Sequence, residues 1–164
     1  MKKIVHPQQT VCEMTQIVMP SQANSQGTVF GGQIMAWIDI CAAVSAQRFA
    51  RGSVVTASMD HLTFEAPIRQ GHVVVLRSMV NWAGRTSIEI GVRVEGEDPM
   101  TGDRTHTSSA YLTFVALGED DAPREVPTLL PQNSEEKERQ QAAQKRRTER
   151  LTFRDSSQHK RNGK

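Results

Sequence analysis

The feature that most restricts the fold is the segment from Gly31 to Ala50, which is apolar on almost every face of a helix. At 1.5 Å per residue this segment predicts a helix about 28 Å long. A helix without a polar face is covered by other structure on most of its sides. The sequence therefore predicts one long central helix, and the helical pattern ends at Arg51 and Gly52.

Five further segments have the short apolar runs or the alternation that are typical of β-strands. They are residues 11–19, 53–64, 72–82, 86–97 and 104–117. The alternation is clearest from Ile88 to Val94, where every second residue is apolar and one face must lie on a core. Turn signals at 82–85 and 97–103 fit antiparallel hairpins. The order β-α-β-β-β-β predicts an α+β fold in which a curved antiparallel sheet wraps the helix.

Composition restricts the partners and the compartment. The chain has 20 Lys and Arg against 18 Asp and Glu, a net charge of +2, and so lacks the basic excess of a nucleic-acid-binding protein. No stretch approaches the roughly 18 apolar residues of a membrane span, and no apolar run follows the first lysines as in a signal peptide. We therefore expect a cytoplasmic protein. Cys12 and Cys41 lack paired spacing, so we expect two small apolar thiols and neither a disulfide framework nor a zinc site.

The last part of the chain differs in charge from the rest. Residues 132–164 contain ten basic and five acidic residues (+5), whereas residues 1–131 contain ten and thirteen (−3). We interpret 1–131 as the folded domain and 132–164 as a charged tail. Ser134 is a candidate N-cap of a helix in this tail. Because the tail has no apolar stripe, we expect that helix to be solvated, and we expect disorder from Thr152 onward. The basic run at 145–147 is either a solvent-exposed surface or a contact for the phosphates of a ligand or partner.

Two glycines, Gly31 and Gly32, occupy the predicted first turn of the helix, where glycine is costly unless the position needs it. The first turn of a helix has up to four N–H groups without an internal partner, and the helix dipole there favours negative charge. The glycines could therefore leave bare backbone donors that receive a developing oxyanion. The alternative is that they allow close packing on the helix.

One carboxylate, Asp39, lies about two turns inside the apolar helix, too deep to act as a cap. A buried carboxylate must find hydrogen bonds, so a purely structural role is one interpretation. The other interpretation is that Asp39 faces a pocket and acts as a general base or a nucleophile. A partly desolvated carboxylate is more effective in either role than a fully hydrated one.

Four stretches carry more specific motifs: MPSQANSQGTVFGGQIMAWID, VVTASMDHLTFEAPIRQGHVV, AGRTSIEIGVRVEGED and YLTFVAL. They contain an Asn-x-x-Gly-x-x-x-Gly-Gly loop, the helix Asp, a TF-x-x-P-I strand end and a GRTS turn at compatible spacing. In these motifs the chain resembles the hotdog-fold acyl-CoA thioesterases, in particular the small bacterial acyl-CoA hydrolases related to the mammalian cytosolic enzymes. The resemblance runs from about Thr15 to Pro127 and does not reach the tail.

This resemblance implies a hotdog fold, in which a long helix is wrapped by a five- or six-stranded antiparallel sheet and two protomers pair their sheets edge to edge. Active sites form at that interface, and the dimers assemble further, so we expect a homohexamer. The resemblance also implies an enzyme that hydrolyses acyl-CoA to a free acid and CoA. It needs no metal and no cofactor, since CoA belongs to the substrate and the product.

The catalytic positions of the family match Asn24 in the loop and Asp39 in the helix, which different protomers contribute to one site. The resemblance implies that Asp39 activates water or attacks the thioester carbonyl itself, and that Asn24 orients the water or the carbonyl. The backbone N–H of Gly31 or Gly32 would polarise the thioester oxygen.

Arg85, Thr86 and Ser87 match the turn that lies near the CoA moiety in the family, where Arg supplies charge-assisted hydrogen bonds. The alternative is that they form only a hairpin turn. Residues 56–58 precede the strand that lines the cleft in such enzymes and are candidates for substrate contact.

Two other functions occur to compare with hydrolysis: dehydration of acyl thioesters and non-catalytic binding of acyl-CoA. Hotdog hydratases and dehydratases pair a His with an acidic residue, and the central helix of this chain has no His. A non-catalytic acyl-CoA sensor would signal through an added segment such as the tail, but the presence of both Asn24 and Asp39 disfavours it. The acyl chain length stays open, because Phe30, Met35 and Trp37 either shape an acyl tunnel or belong to the core.

Overall fold

The computed structural model describes residues 2–162, and for His61 and residues 154–162 it describes the backbone alone. The central helix, α1, spans Gly31–Ala50, as predicted. It ends at Arg51, whose backbone is left-handed with a φ of 54°. In the described part of the chain, no helix is long and apolar enough to cross a membrane.

Seven β-strands lie in the described residues. They are β1 Ile4–Val5, β2 Cys12–Ile17, β3 Val54–Phe64, β4 Val73–Ala83, β5 Ser87–Glu97, β6 Arg104–Ala116 and β7 Thr128–Leu129. Five of them form an antiparallel sheet in the order β2-β4-β5-β6-β3, and β1 and β7 pair in parallel. The predicted α+β arrangement is confirmed, with the five predicted strands within two residues of their expected bounds. The pair β1 and β7 was not predicted, because two-residue strands are too short to show a period.

The core lies between α1 and the inner face of the sheet. Its fully buried side chains include Ile38, Phe49, Leu76, Ile90, Leu112 and Phe114. The opposite strip of α1 is not covered, since Met35 is 43% exposed and Ile40 is 53% exposed. The apolar surface of α1 is therefore larger than one chain covers.

Both cysteines are buried and free, as predicted from their spacing. The Cys41 thiol donates to Ser78 Oγ at 3.3 Å in the interior of the domain. Burial raises the pKa of Cys41 to about 12, so its thiol stays neutral. The two side chains act as small core residues.

The C-terminal helix, α2, spans Ser134–Asn162. Its N-terminal cap is Asn133 rather than Ser134, because Asn133 Oδ1 accepts a hydrogen bond from the N–H of Glu136 at 2.8 Å. The helix continues past Thr152, from which disorder was expected, and that expectation stays a prediction. The last two residues of the chain lie outside the described residues.

Helix α2 lies on the outer face of the sheet, opposite α1. Arg146 stacks on the Tyr111 ring at 3.6 Å and pairs with buried Glu89 at 2.7 Å. One turn later, Arg150 pairs with Asp60 on β3. The prediction of a solvated helix is therefore wrong, because arginines hold α2 on the sheet in place of an apolar stripe.

The basic run at 145–147 also contacts the chain itself. Arg146 forms an ion pair with Glu89, and the guanidinium of Arg147 lies 5.0 Å from the centre of the Trp82 ring. These two arginines are thus used to dock α2, which leaves less of the run for a phosphate than the sequence indicates.

Candidate active site

Asn24 lies in a tight loop that fixes its side-chain amide. Its Oδ1 accepts hydrogen bonds from the N–H of Gln26 at 2.9 Å and of Thr28 at 3.2 Å, and its Nδ2 donates to Thr28 Oγ1 at 2.9 Å. Gly27 has a φ of 72°, which glycine adopts without strain. The side chain of Asn24 is exposed, and the second N–H of its Nδ2 has no partner among the described residues.

The start of α1 presents two free backbone donors. The helix begins after Phe30, whose side chain makes no cap, and the Phe30 carbonyl accepts from the N–H of Gln33 and Ile34. Within residues 2–162 the N–H groups of Gly31 and Gly32 have no acceptor. Two adjacent donors thus lie at the positive end of the helix dipole.

Close packing explains these two glycines only in part. A Cβ at Gly31 would lie 3.5 Å from the Phe64 ring, an ordinary van der Waals contact. A Cβ at Gly32 would overlap the ring of Phe30, but that side chain is 61% exposed and has room to turn away. Neither position therefore needs glycine to fit its own surroundings.

Asp39 is half-buried on the strip of α1 that the chain leaves uncovered, one turn after Met35. Its Oδ1 accepts a hydrogen bond from Thr56 Oγ1 at 2.7 Å. Among the described side chains, no cation pairs with Asp39, its Oδ2 has no hydrogen-bond partner, and no three metal-ligating residues are grouped. One hydroxyl therefore orients this carboxylate, and its other oxygen is uncommitted.

A β-bulge sets the direction of Thr56. Strand β3 advances from Thr56 to Ser58 while its partner β6 advances by one residue, so Ala57 is an extra residue on β3. The extra residue lets Thr56 face α1 and Asp60 face α2, although strict alternation would put both on one face. Sequence reasoning placed Thr56 near the substrate but missed its contact with Asp39, because a bulge leaves no signal in the alternation.

One chain does not bring Asp39 to the helix donors. Asp39 follows Gly31 by eight residues, which is about 12 Å along the helix axis. A reacting carbonyl must lie about 3 Å from both the attacking group and the oxyanion donors. The chain therefore holds two separate half-sites: the donor half-site of Asn24, Gly31 and Gly32, and the acid half-site of Asp39 and Thr56.

The turn Arg85–Ser87 lies on the side of the acid half-site. Thr56 of β3 and Ile88 of β5 both pair with Phe114, at the end of the sheet where β3 begins. The Asn24 loop bonds instead to the segment that follows the other end of β3. Arg85 is exposed, and its side chain has no ion pair among the described residues. Within one chain this cation is far from the donor half-site.

A pocket of about 290 Å³ opens beside Gly31, between the start of α1 and the segment that follows β3. None of the three residues considered for an acyl tunnel lines it. Trp37 is 5% exposed and belongs to the core, whereas Phe30 and Met35 are exposed on the surface. The lining comes instead from residues such as Ile34, Phe64 and Ile68. The last two stand in the TF-x-x-P-I strand end, but the sequence did not connect that motif with a pocket.

Residues 26–102 match the family described as the thioesterase superfamily. YkhA of Bacillus subtilis, described as an uncharacterized acyl-CoA thioester hydrolase, is 43% identical over 122 residues, which cover 74% of this chain and 71% of the relative. A relative of this identity and coverage establishes common family membership.

Solved structures show the same fold. An acyl-CoA hydrolase from Staphylococcus aureus in complex with butyryl-CoA and CoA has a TM-score of 0.88 and 33% identity over 95% of both chains. Other structures of that protein have an aspartate, a threonine or an asparagine replaced by alanine. A hexameric acyl-CoA thioesterase has a TM-score of 0.88 and 36% identity over 92% of this chain and 97% of its own. The hotdog fold is confirmed, and the chain belongs to the acyl-CoA thioesterases of the thioesterase superfamily.

Proposed function

We propose that the protein hydrolyses the thioester of acyl-CoA to a free acid and CoA, at a site that two protomers share. The observation that carries the proposal is the separation of the half-sites: Asp39 lies about 12 Å along α1 from Gly31 and faces away from the chain's own core. Each half-site lacks what the other supplies. A second copy of the chain is the simplest source of the missing half.

The free edge of β3 is the surface that would join the protomers. This strand ends the sheet, and its exposed apolar residues include Val55 at 46% and Phe64 at 50% exposure. A long apolar edge of this kind attracts another strand. Two copies of β3 paired antiparallel about a two-fold axis would place the start of one against the end of the other, and so the acid half-site against the donor half-site. The hexameric relative supports a trimer of such dimers.

Asp39 would supply the attack on the thioester. Either its free Oδ2 takes a proton from water, whose oxygen forms the new C–O bond, or Oδ2 attacks the carbonyl carbon and water hydrolyses the resulting anhydride. The hydrogen bond from Thr56 orients the carboxylate in both paths. In the first path the C–S bond breaks after the water has added to the carbonyl carbon, and in the second it breaks as the anhydride forms. CoA leaves as a thiolate in both paths, so the proposed chemistry needs no metal or cofactor.

The donor half-site would stabilise the charge that develops on the carbonyl oxygen. Each well-placed N–H, from Gly31 or Gly32, contributes about 3 to 4 kcal/mol to lowering the barrier in comparable oxyanion holes. Asn24 would add its second Nδ2 hydrogen, because its Oδ1 already holds the loop. That hydrogen is free to orient the water or the carbonyl.

CoA would lie against the turn Arg85–Ser87. The exposed guanidinium of Arg85 can make charge-assisted hydrogen bonds to the CoA phosphates, with the hydroxyls of Thr86 and Ser87 as further donors. The Thr86 carbonyl accepts from the N–H of Ala116 at 3.0 Å, which ties the turn to β6. Its position beside the acid half-site would place the thioester between Asp39 and the partner's donors.

The substitutions made in the Staphylococcus aureus hydrolase support this choice of residues. Its substituted asparagine, aspartate and threonine are separated by 15 and 17 positions, as are Asn24, Asp39 and Thr56. The same three residue types thus recur at the same spacing in a protein of the same fold. A cytoplasmic site of action stays a prediction.

The test is thiol release from a panel of acyl-CoAs by the purified protein and by Asp39→Ala. We expect turnover by the native protein and little by Asp39→Ala, because the variant has no base or nucleophile. The buried thiols of Cys12 and Cys41 keep the background of a thiol reagent low. Asp103→Ala is the matched control, since the side chain of Asp103 is exposed in the turn between β5 and β6.

An acyl-CoA sensor is the alternative function. A sensor would bind acyl-CoA and release no thiol from any ester in the panel. Release that is equal in the native protein and in Asp39→Ala would instead place the chemistry elsewhere in the chain.

A further inference from the structure

The residue that ends α1 has an unusual backbone conformation for its type. Arg51 has a φ of 54°, in the left-handed region that glycine usually occupies at the end of a helix. A residue with a Cβ is strained there, and the glycine of this segment comes one position later, at Gly52. Backbone strain of this kind is concentrated at functional sites, so the side chain of Arg51 is of interest.

Gly52 has a packing reason of its own. The guanidinium of Arg124 donates to the Ala50 carbonyl at 2.7 Å and to the Leu117 carbonyl at 3.0 Å, and so ties the end of α1 to the end of β6. A Cβ at Gly52 would lie 2.3 Å from Nη2 of Arg124. Close approach therefore explains the glycine at 52, and no such contact explains the arginine at 51.

The side chain of Arg51 is exposed and has no counter-ion. Among the described residues it forms no ion pair, and the exposed carboxylates of the loop at 119–121 do not pair with it. Arg124 likewise has carbonyl oxygens and no carboxylate as partners. With Arg85, three arginines at this end of the sheet thus lack a carboxylate partner in the described part of the chain, and the two exposed ones, Arg51 and Arg85, are available to an anionic ligand.

Arg51 and Arg85 lie on either side of β6. The N–H groups of two successive residues at the end of β6 donate to the carbonyl of Ser53, on the β3 side, at 2.9 Å and to the carbonyl of Thr86, on the β5 side, at 3.0 Å. These two carbonyls are two strand spacings, or about 10 Å, apart. Arg51 precedes Ser53 by two residues and Arg85 directly precedes Thr86, so the two cations flank the same end of the sheet.

The distance of Arg51 from Asp39 suits the nucleotide end of CoA. Arg51 follows Asp39 by twelve residues, which is about 18 Å along the axis of α1. The pantetheine arm of CoA is a long linker between the thioester and the phosphates. Arg51 and Arg85 belong to the same chain as Asp39, so the arm would run from the acid half-site to this end of that chain.

We infer that Arg51 is a second phosphate-binding residue for CoA, across β6 from the turn at Arg85. The nucleotide half of CoA carries a pyrophosphate and a ribose phosphate at separate places, and two arginines on either side of a strand can contact both through charge-assisted hydrogen bonds. The strained backbone lowers stability in exchange for a cation at this point, as at other sites where stability and function are opposed. The inference rests on the proposed function, because it takes acyl-CoA as the substrate.

Arg51→Gly separates a binding role from a structural one, because the two roles predict opposite effects on stability. Glycine relieves the left-handed strain, so we expect the thermal midpoint to rise by about 2 to 4 °C. The same variant should lower kcat/KM for acyl-CoA about three- to fivefold, mainly through KM, as for the loss of one exposed ionic contact. Acyl-pantetheine, which lacks the nucleotide, should be hydrolysed at the native rate.

Two more variants and one more ester sharpen the test. Arg51→Asn also tolerates the left-handed conformation and should give the same loss on acyl-CoA, which keeps the test valid if the glycine variant folds poorly. Arg51→Lys keeps the charge and should recover most of the affinity. Acyl-dephospho-CoA lacks the ribose phosphate, so a loss that persists on this ester assigns Arg51 to the pyrophosphate and a loss that disappears assigns it to the ribose phosphate.

Asp121→Gly is the matched control, because Asp121 is the other non-glycine residue with a left-handed backbone in the described chain, with a φ of 56° and an exposed side chain. It should raise the thermal midpoint in the same way, with no loss of turnover on either ester.

Three results would overturn the inference: a lower thermal midpoint in Arg51→Gly, an unchanged kcat/KM for acyl-CoA, or equal losses on acyl-CoA and acyl-pantetheine. Absence of hydrolysis of every ester by the native protein would instead refute the proposed function. Calorimetric titration of CoA into the native protein and into Arg51→Gly tests the phosphate contact in that case as well, and equal affinities would overturn it.

Discussion

Two carboxylates on opposite faces of the same sheet have opposite surroundings. Glu89, on the outer face, is 1% exposed, and its two oxygens accept from Arg146 at 2.7 and 3.4 Å. Asp39, against the inner side, is half-buried and accepts one hydrogen bond, from the neutral hydroxyl of Thr56. Among the described side chains, Glu89 is paired with a cation through both oxygens, whereas one oxygen of Asp39 has no partner.

Under the proposed function, one fold uses the same chemical group for structure at Glu89 and for reaction at Asp39. Separating a buried charge from its partner has a large cost in free energy, so the ion pair of Glu89 holds α2 on the sheet. A carboxylate that is oriented but unpaired can accept a proton or attack a carbon. Burial of a carboxylate alone therefore does not identify a catalytic residue, but the absence of a cation on it is informative.

The largest expected effect is on the structural side of this comparison. Glu89→Ala leaves Arg146 buried without its partner and should lower the free energy of unfolding by about 3 to 5 kcal/mol, as measured by urea denaturation. Glu135→Ala is the control, since its ion pair with Arg139 is exposed and contributes about 1 kcal/mol or less. Equal losses in the two variants would show that the pair under α2 is no more important than a surface pair.

Asp39→Asn tests the reactive side. It removes the negative charge but keeps the shape, so the oligomer should fold while kcat falls at least about 100-fold, the lower range for loss of a general base. Steady-state hydrolysis and the urea midpoint, measured on the same sample, separate the two effects. Full activity would remove Asp39 from the mechanism.

Thr56→Val tests how the acid is oriented. The variant keeps the β-branched shape and loses the hydroxyl that bonds Asp39, so we expect kcat to fall about tenfold with little change in KM. Thr56→Ser restores the donor and should recover most of the activity. If Thr56→Val and Thr56→Ser behave alike, the hydrogen bond has no part in the reaction.

Arg85→Ala should have the smallest effect, because Arg85 acts on the CoA end of the substrate. We expect kcat/KM for CoA esters to fall several-fold, as for the loss of one charge-assisted contact in partly exposed surroundings. Short pantetheine thioesters, which lack the nucleotide phosphates, should be affected less. Equal losses on both substrates would indicate a role in folding of the turn.

Periodicity predicted most of the fold, because α1 and the strands from β2 to β6 have patterns that repeat along their whole length. Other contacts depend on single residues that periodicity does not register. Helix α2 is held by Arg146 and Arg150, and the direction of Thr56 depends on the extra residue Ala57. Helix α2 was therefore expected to be solvated, and the bond from Thr56 to Asp39 was missed.

Only part of the candidate site could be predicted, because some of its residues stand in local sequence motifs and others do not. Asn24 and Asp39 stand in motifs that resemble those of a known family, and their spacing is visible in the sequence. The pocket residues Phe64 and Ile68 belong to the TF-x-x-P-I strand end, but Ile34 lies on α1, 30 residues earlier in the chain, so no local pattern joins all three. Helix geometry alone does show that Gly31 and Asp39 are too far apart to act within one chain.

The most direct test of the shared site is complementation between two inactive chains. Asn24→Ala lacks part of the donor half-site and Asp39→Ala lacks the acid, so a mixed dimer has one intact site and one site that lacks both groups. When the two variants are coexpressed and purified together, random pairing predicts about a quarter of native activity, where each alone has almost none. Activity no higher than that of either variant alone would contradict a site built from two protomers.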